Sequence, residues 1–228
     1  MKEIKMKLSE STINVLKNFA TINSGMQFKQ GSTVRTISKQ QNVLGKATVS
    51  ETFDSDFVIY DLNRFLSLVG SLDNPEIVVN TDTKNLTVKS GTSKTTYGLS
   101  DEAMIVAPPA KEIKVENAEV NFTLTKDNLN QVLKLSGILG LPNIAVVGDG
   151  ESVSITALDA KNDDADNFSI KVGEQSANFK FIFTTENLKM IPGTYNVAIS
   201  SKGISHFKHA TDNIEYWVAT EAGSKYEG

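Results

Sequence analysis

One charge signature occurs twice along this chain, and a repeated unit limits the available folds more than any single residue does. In the first half Glu10 precedes Lys17 by seven positions and Asp61 precedes Arg64 by three; in the second half Asp127 precedes Lys134 by seven and Glu186 precedes Lys189 by three. The first pair recurs after 117 positions and the second after 125, so eight extra residues lie between them, and the run from Asp159 to Asp166 can supply those. Each acid stands where an amphipathic stretch begins, where negative charge complements the positive end of a helix dipole. Ser9, Asp61 and Thr125 suit the N-cap, because their side-chain oxygens can accept orphan backbone N–H groups. The bases are left on the polar sides. One such lysine reads as an ordinary solvated charge; four at matching places read as a face, provided the four point the same way.

The apolar spacing predicts a helix from Ser9 to Asn23, with Val15, Leu16, Phe19, Ala20 and Ile22 inward and Asn14, Lys17, Asn18 and Thr21 outward. Alternating runs bounded by Gly, Ser and Asn predict strands at 26–29, 33–37, 42–49 and 56–60. A second helix is expected from Asp61 to Leu72, then strands at 76–80, 85–89 and 94–99. Residues 100–116 hold Pro108-Pro109 and no sustained period, which reads as a linker laid over the surface. The second half restarts with a strand at 119–124 and a helix from Thr125 to about Gly140. There Leu129, Val132, Leu133 and Ser136 match Thr12, Val15, Leu16 and Phe19, while Leu135 and Ile138 lie off that face. Strands at 144–147, 152–158, 167–172 and 178–184 follow, with Gly148-Asp-Gly150 as a hairpin turn. A short helix from Thr185 to Ile191, three strands at 195–200, 204–208 and 214–219, and a frayed tail from Thr220 complete the reading. The expected class is α+β, with two similar modules (1–107, ending in the start of the linker, and 108–228), each of two helices packed on antiparallel sheet.

Composition excludes several classes. The 39% hydrophobic and 22% charged fractions suit a packed globular chain and not a disordered one. No apolar run approaches the roughly 20 residues that span a bilayer, and the charged start Met-Lys-Glu-Ile-Lys-Met-Lys has no apolar stretch behind it, so no signal peptide is expected. The absence of cysteine removes disulfides, thiol nucleophiles and thiolate metal sites. A reducing cytoplasm is the expected compartment, and three glycosylation sequons at Asn85, Asn121 and Asn167 read as chance. A net charge of −4 argues against a surface that grips nucleic acid all over, but leaves room for a mildly basic lining in an acidic shell.

Catalytic chemistry is hard to find. His206 and His209 are spaced three apart in a strand-to-turn segment and match no zinc pattern; an ordinary surface pair is the plainer reading. The acidic run from Asp159 lacks the sixth-position glycine and closing glutamate of a calcium loop. No phosphate loop and no nucleophile elbow occurs. The chain is not expected to be an enzyme, and no metal or cofactor is expected.

Four segments carry a closer likeness. Leu16-Lys-Asn-Phe-Ala-Thr-Ile-Asn-Ser-Gly25, Val58-Ile-Tyr-Asp-Leu-Asn-Arg-Phe-Leu66, Asn187-Leu-Lys-Met-Ile-Pro-Gly-Thr-Tyr195 and Tyr216-Trp-Val-Ala-Thr-Glu-Ala222 resemble, in order and spacing, segments of the DNA sliding clamps of T-even-type bacteriophages. The resemblance implies the DNA clamp fold: a closed homotrimeric ring with helices around the hole and sheets outside. It implies a processivity factor in the host cytoplasm that encircles duplex DNA without sequence preference and tethers a DNA polymerase. An ATP-dependent clamp loader opens such rings, and late-transcription and repair factors also use them; no membrane partner is implied.

Carried over by position, the resemblance assigns Lys17, Arg64, Lys126, Lys134 and Lys189 to the DNA-facing lining. It assigns Val43, Leu44, Ile105, Val106, Trp217 and Ala219 to a pocket for partner peptides, although a lone tryptophan in an alternating strand is equally a core residue. Lys94, Thr95, Thr96 and Tyr97 would meet Phe168, Ser169, Ile170 and Lys171 of the next subunit. Two other readings stay open: a structural β-rich oligomer module without DNA binding, and an enzyme on a duplicated scaffold.

Overall fold

The computed structural model describes residues 4–228. The first three residues of the charged N-terminal run lie outside the described residues. The chain divides into two compact units, Met1–Ala110 and Lys111–Gly228.

Unit 1 contains α1 (Glu10–Ile22) and α2 (Leu62–Gly70), and strands β1 (Ile4–Met6), β2 (Met26–Phe28), β3 (Gly31–Ile37), β4 (Val43–Phe53), β5 (Phe57–Ile59), β6 (Glu76–Asn80), β7 (Asn85–Ser90) and β8 (Ser93–Gly98). Both caps form as their chemistry dictates: the Ser9 hydroxyl accepts the Thr12 N–H at 3.3 Å and the Asp61 carboxylate accepts the Arg64 N–H at 3.0 Å. Strands pair antiparallel in the orders β1-β6-β7-β8 and β5-β2-β3-β4. The helices pack on each other, and α1 lies across β3 and β4 with Thr12, Val15, Leu16, Phe19 and Ala20 buried. Gly45 makes that approach possible, since a Cβ there would stand 2.8 Å from the Phe19 ring. Phe28, Phe53 and Phe57 form an aromatic knot beneath, with Phe28 stacked on Phe57 at 4.6 Å.

The linker is no loose connection where it belongs to this unit. Ser100 N–H donates to the Val58 carbonyl at 2.9 Å, Asn23 Nδ2 to the Val106 carbonyl at 3.2 Å, and Arg35 Nη1 to the Pro109 carbonyl at 2.8 Å. Its one regular piece is a 3-10 turn, Glu102–Met104. Ile105 seats against Gly25, where a Cβ would come within 2.5 Å of its side chain.

Unit 2 contains β9 (Val120–Leu124), α3 (Lys126–Leu139), β10 (Asn143–Asp149), β11 (Ser152–Leu158), β12 (Phe168–Glu174), β13 (Asn178–Thr184), β14 (Tyr195–Ser200), β15 (Ile204–His209), β16 (Ile214–Ala219) and β17 (Lys225–Tyr226). Its antiparallel strands run in the orders β12-β11-β10-β13-β17 and β16-β15-β14-β9. Thr125 caps α3 by accepting the Asn128 N–H at 3.2 Å, and Gly140 closes it in the left-handed region at φ 66°. The helix rests on β10, β11 and β12.

Two expectations are corrected here. The helix expected from Thr185 to Ile191 is one 3-10 turn, Thr185–Leu188. Lys189 leaves helical space at φ −74°, ψ 63°, and the Met190 N–H bonds the Leu188 carbonyl at 2.8 Å, which is an inverse γ-turn. Pro192 explains the early stop, because it denies Ile191 the helical region and supplies no N–H of its own. The tail also departs from the frayed expectation: β17 pairs with β13, and Tyr226 stacks on Phe179 and Phe181 at 6.3 and 6.4 Å. Two residues are too few for an alternation to register in a sequence.

Candidate nucleic-acid interface

The outward faces of α1, α2 and α3 carry three of the four bases that the repeat singled out. Lys17 is exposed on α1, facing away from the side that buries Val15 and Phe19. Arg64 is exposed on α2, in its first turn, while Leu62, Phe65, Leu66 and Val69 face the core. Lys126 and Lys134 are exposed on α3, whose buried side is Leu129, Val132 and Ser136. Lys189 is exposed too, but it stands on the γ-turn and pairs with Glu186 at 2.7 Å. Between exposed groups such a pair is worth about 0–1 kcal/mol and yields to a competing phosphate.

Arg64 is the best-oriented of the five. Its guanidinium carbon lies 5.8 Å from the centre of the Tyr97 ring, near enough for a cation–π contact. Tyr97 is itself fixed, with its hydroxyl donating to the Asp61 carbonyl at 2.9 Å and Phe65 at its edge, 5.9 Å away. Burial pushes the Tyr97 phenol up, Asp61 adds to that, and Arg64 opposes it. The phenol therefore stays a neutral donor at physiological pH.

The residues assigned to subunit contacts lie on two outer strands. Lys94 to Tyr97 are in β8, the last strand of β1-β6-β7-β8, and Phe168 to Lys171 are in β12, the first strand of its sheet. Lys94, Thr95 and Thr96 are exposed and Tyr97 is half-buried; Phe168 and Ile170 are half-buried and Ser169 and Lys171 exposed. Lys171 reaches Glu174 of its own strand at 3.2 Å.

The residues that the resemblance assigned to a peptide pocket fall in both units. Val43 and Leu44 are adjacent in β4 and both buried, and Ile105 and Val106 are half-buried on the anchored linker. In unit 2 Ala219 is half-buried at the end of β16, and Trp217 is 7% exposed with its indole N–H unpartnered among the described residues. The Trp217 ring stacks on His206 at 4.7 Å, and His206 Nε2 meets Glu215 at 2.7 Å. His209 plays a different part. It is buried, its Nδ1 accepts the Asp212 N–H at 3.0 Å, and it crowds Gly193 so closely that a Cβ there would lie 1.8 Å from Nε2. The two histidines thus act separately, each within its own packing. Among the described residues no three or more His, Asp or Glu side chains are grouped to hold a metal ion, and no helix is long and apolar enough to cross a membrane.

The sequence reading did not single out the groove beside the linker. A cavity of about 430 Å³ is lined by Gln27, Lys29, Thr33, Arg35, Glu102 and Pro108 among others, and a second of about 230 Å³ shares Gln27, Lys29 and Glu102. Asp56 bonds Lys29 at 2.9 Å, which raises the lysine and lowers the carboxyl. Only the strand alternation that sends Gln27 and Arg35 to the face away from α1 could have hinted at it.

Comparison with known proteins agrees with this architecture. Residues 7–107 match the family of the DNA polymerase processivity factor, and residues 121–222 match the family of the gp45 sliding clamp, C terminal. The chain is 37% identical over 222 residues to the sliding clamp of Vibrio phage KVP40, covering 95% of this chain and all of that one. It is 30% identical to the sliding clamp of Enterobacteria phage T4, over 97% of this chain and all of the relative. Among solved structures, A. fulgidus PCNA bound to the C-terminal region of FEN-1 superposes with a TM-score of 0.69 at 15% identity, covering 99% of this chain and all of that one. The DNA polymerase III subunit beta of Pseudomonas aeruginosa gives 0.70 at 12% identity, covering 99% of this chain and 66% of the other. With a family match in each half and full-length relatives above the threshold of chance likeness, this chain belongs to the sliding-clamp family of DNA polymerase processivity factors.

Proposed function

We propose that three copies of this chain close into a ring around duplex DNA and tether a DNA polymerase for processive synthesis. The observation that carries the reading is the placement of Lys17, Arg64, Lys126 and Lys134 on helix faces turned away from the cores, in a chain whose net charge is −4. Such a lining gives weak, sequence-independent phosphate contacts, which suit movement along the duplex; a base-specific grip would stall it. Retention then comes from closure and not from affinity, and tethering raises the local concentration of polymerase at the primer end.

Closure is supported by the two unpaired outer strands. A β8 edge pairing with the β12 edge of the next copy is a head-to-tail contact, which ends in a ring when the rotation closes. It also covers edges that would otherwise invite aggregation. Opening such a ring is the task of an ATP-dependent loader. The anchored linker with Ile105 and Val106, and the Trp217 strand, are the surfaces assigned to the polymerase and to late-transcription and repair partners.

The test is the change of Lys17, Lys134 and Lys189 together to glutamate. The expected result is a folded trimer that supports only short extension products, with loading reduced at least tenfold. Loading and processivity equal to the wild type would overturn the lining assignment; a wild-type chain that never raises processivity would favour a β-rich structural oligomer.

A further inference from the structure

Trp217 is the chain's single tryptophan, and its buried indole N–H has no acceptor among the described residues. A buried donor left unpaired is costly, so something must hold the ring where it is. His206 on β15 stands opposite Trp217 on β16, and the two rings are stacked at 4.7 Å, 10° from parallel. His206 Nε2 lies 2.7 Å from a carboxylate oxygen of Glu215, two residues before Trp217 on the same strand. Strand alternation puts all three side chains on one face, away from buried Ser205, Phe207, Tyr216 and Val218.

Protonation decides the strength of this hold. As an imidazolium, His206 makes a charge-assisted bond to Glu215 and a cation–π stack on the indole. As a neutral ring it keeps only a plain hydrogen bond and a plain stack. Glu215, in direct contact, favours the charged form. Half-burial of His206 and exposed Lys208, two residues along β15 and opposite Glu215 in register, oppose it more weakly; Ala198, opposite His206 on β14, carries no charge. The hold is therefore complete below the ordinary histidine value of about 6.5 and is lost as pH rises through the titration of the clamped ring.

We propose that Trp217 is a two-position anchor: the protonated His206 and Glu215 hold the indole against the sheet, and its release presents the N–H to a hydrogen-bond acceptor on a partner peptide. The proposal rests on the assignment of the Trp217 strand to partners and adds what that strand selects for, and when. An acceptor supplied by the partner removes the penalty of the unpaired donor, so a peptide that offers one is preferred over a purely apolar segment.

The experiment is acrylamide quenching of Trp217 fluorescence from about pH 5.5 to about pH 8.5, a range in which ordinary carboxylates and lysines keep their charge. It compares the wild type, His206→Gln and Glu215→Gln, and a single tryptophan leaves no doubt about the source of the signal. The wild-type quenching constant should rise at least about threefold across the range, with a midpoint above about 6.5. His206→Gln keeps a donor but cannot titrate, and should be quenched at the high level throughout; Glu215→Gln should move the midpoint down. A flat wild-type profile, or the same rise in His206→Gln, would overturn the hold. Primer extension near pH 8.5 tests the acceptor. Trp217→Phe, an apolar ring without the N–H, should need at least about tenfold more clamp for half-maximal processive synthesis. An unchanged requirement would overturn the role of the N–H. A wild-type chain that never raises processivity would overturn the proposed function and the partner role with it, while quenching still decides the hold.

Discussion

Glu51 sits near the end of β4, on a strand that the alternation of Val43, Gly45, Ala47 and Val49 predicts to stop at 49. It continues to Phe53 because the Glu51 carboxylate is taken up by the start of α1, accepting the Ser9 N–H at 2.5 Å and the Thr12 hydroxyl. Burial alone would raise this carboxyl; the bonds from Thr12 and Ser9 outweigh it and hold it below the ordinary value. A depressed carboxyl contributes stability that is present above the unfolded value, near 4.3, and lost as pH falls through the folded one. Glu51→Gln should therefore cost about 1 kcal/mol at pH 7, partial exposure keeping it small. The gap from the wild type should narrow progressively in urea unfolding repeated at falling pH below about 4. A gap that persists there would show that shape, and not charge, is what matters. This contact was not legible in the sequence, because nothing local marks a carboxylate as the partner of a cap some forty residues earlier. The Gly193–His209 contact was hidden for the same reason: adjacency to Pro192 explains that glycine well enough in one dimension.

At the scale of elements, what the sequence revealed was whatever local chemistry decides. Ser9, Asp61 and Thr125 each accept the N–H three residues on, as their positions before apolar-periodic runs predicted. Thr125→Ala should lower stability by about 1 kcal/mol and the melting temperature by a few degrees. Calorimetry would reveal it, and a change below a few tenths would mean that the Lys126 N–H bond to the Thr194 hydroxyl, 3.3 Å, suffices to hold the helix start. The fourth charge pair misled because Glu186 and Lys189 suit a 3-10 turn as well as a helix. Four residues give no period to measure, and only Pro192 spoke against a longer element. Strands β1 and β17 are set by tertiary pairing, with three and two residues, and carry no pattern of their own. Ile138 and Leu135 were visible as exceptions to the repeat, but an exception in a single sequence does not say what covers it.

For the whole molecule, the repeat and the four family-like segments made the clamp architecture legible. The five bases were assigned by likeness, and their common direction depends on how copies assemble. If retention is topological, complexes loaded onto a nicked circular duplex should survive gel filtration and be released once the circle is cut. Equal retention on cut and uncut DNA would point to ordinary affinity instead. The same view gives the anchored linker a mechanical meaning. A polymerase held there, as proposed above, would pull on the segment as it advances. The anchors at Val58, Asn23 and Arg35 belong to β5, to the residue closing α1, and to β3. Tension applied to the strap is therefore shared among several elements and must shear the bonds together, where a strap fixed at one end would peel one bond at a time.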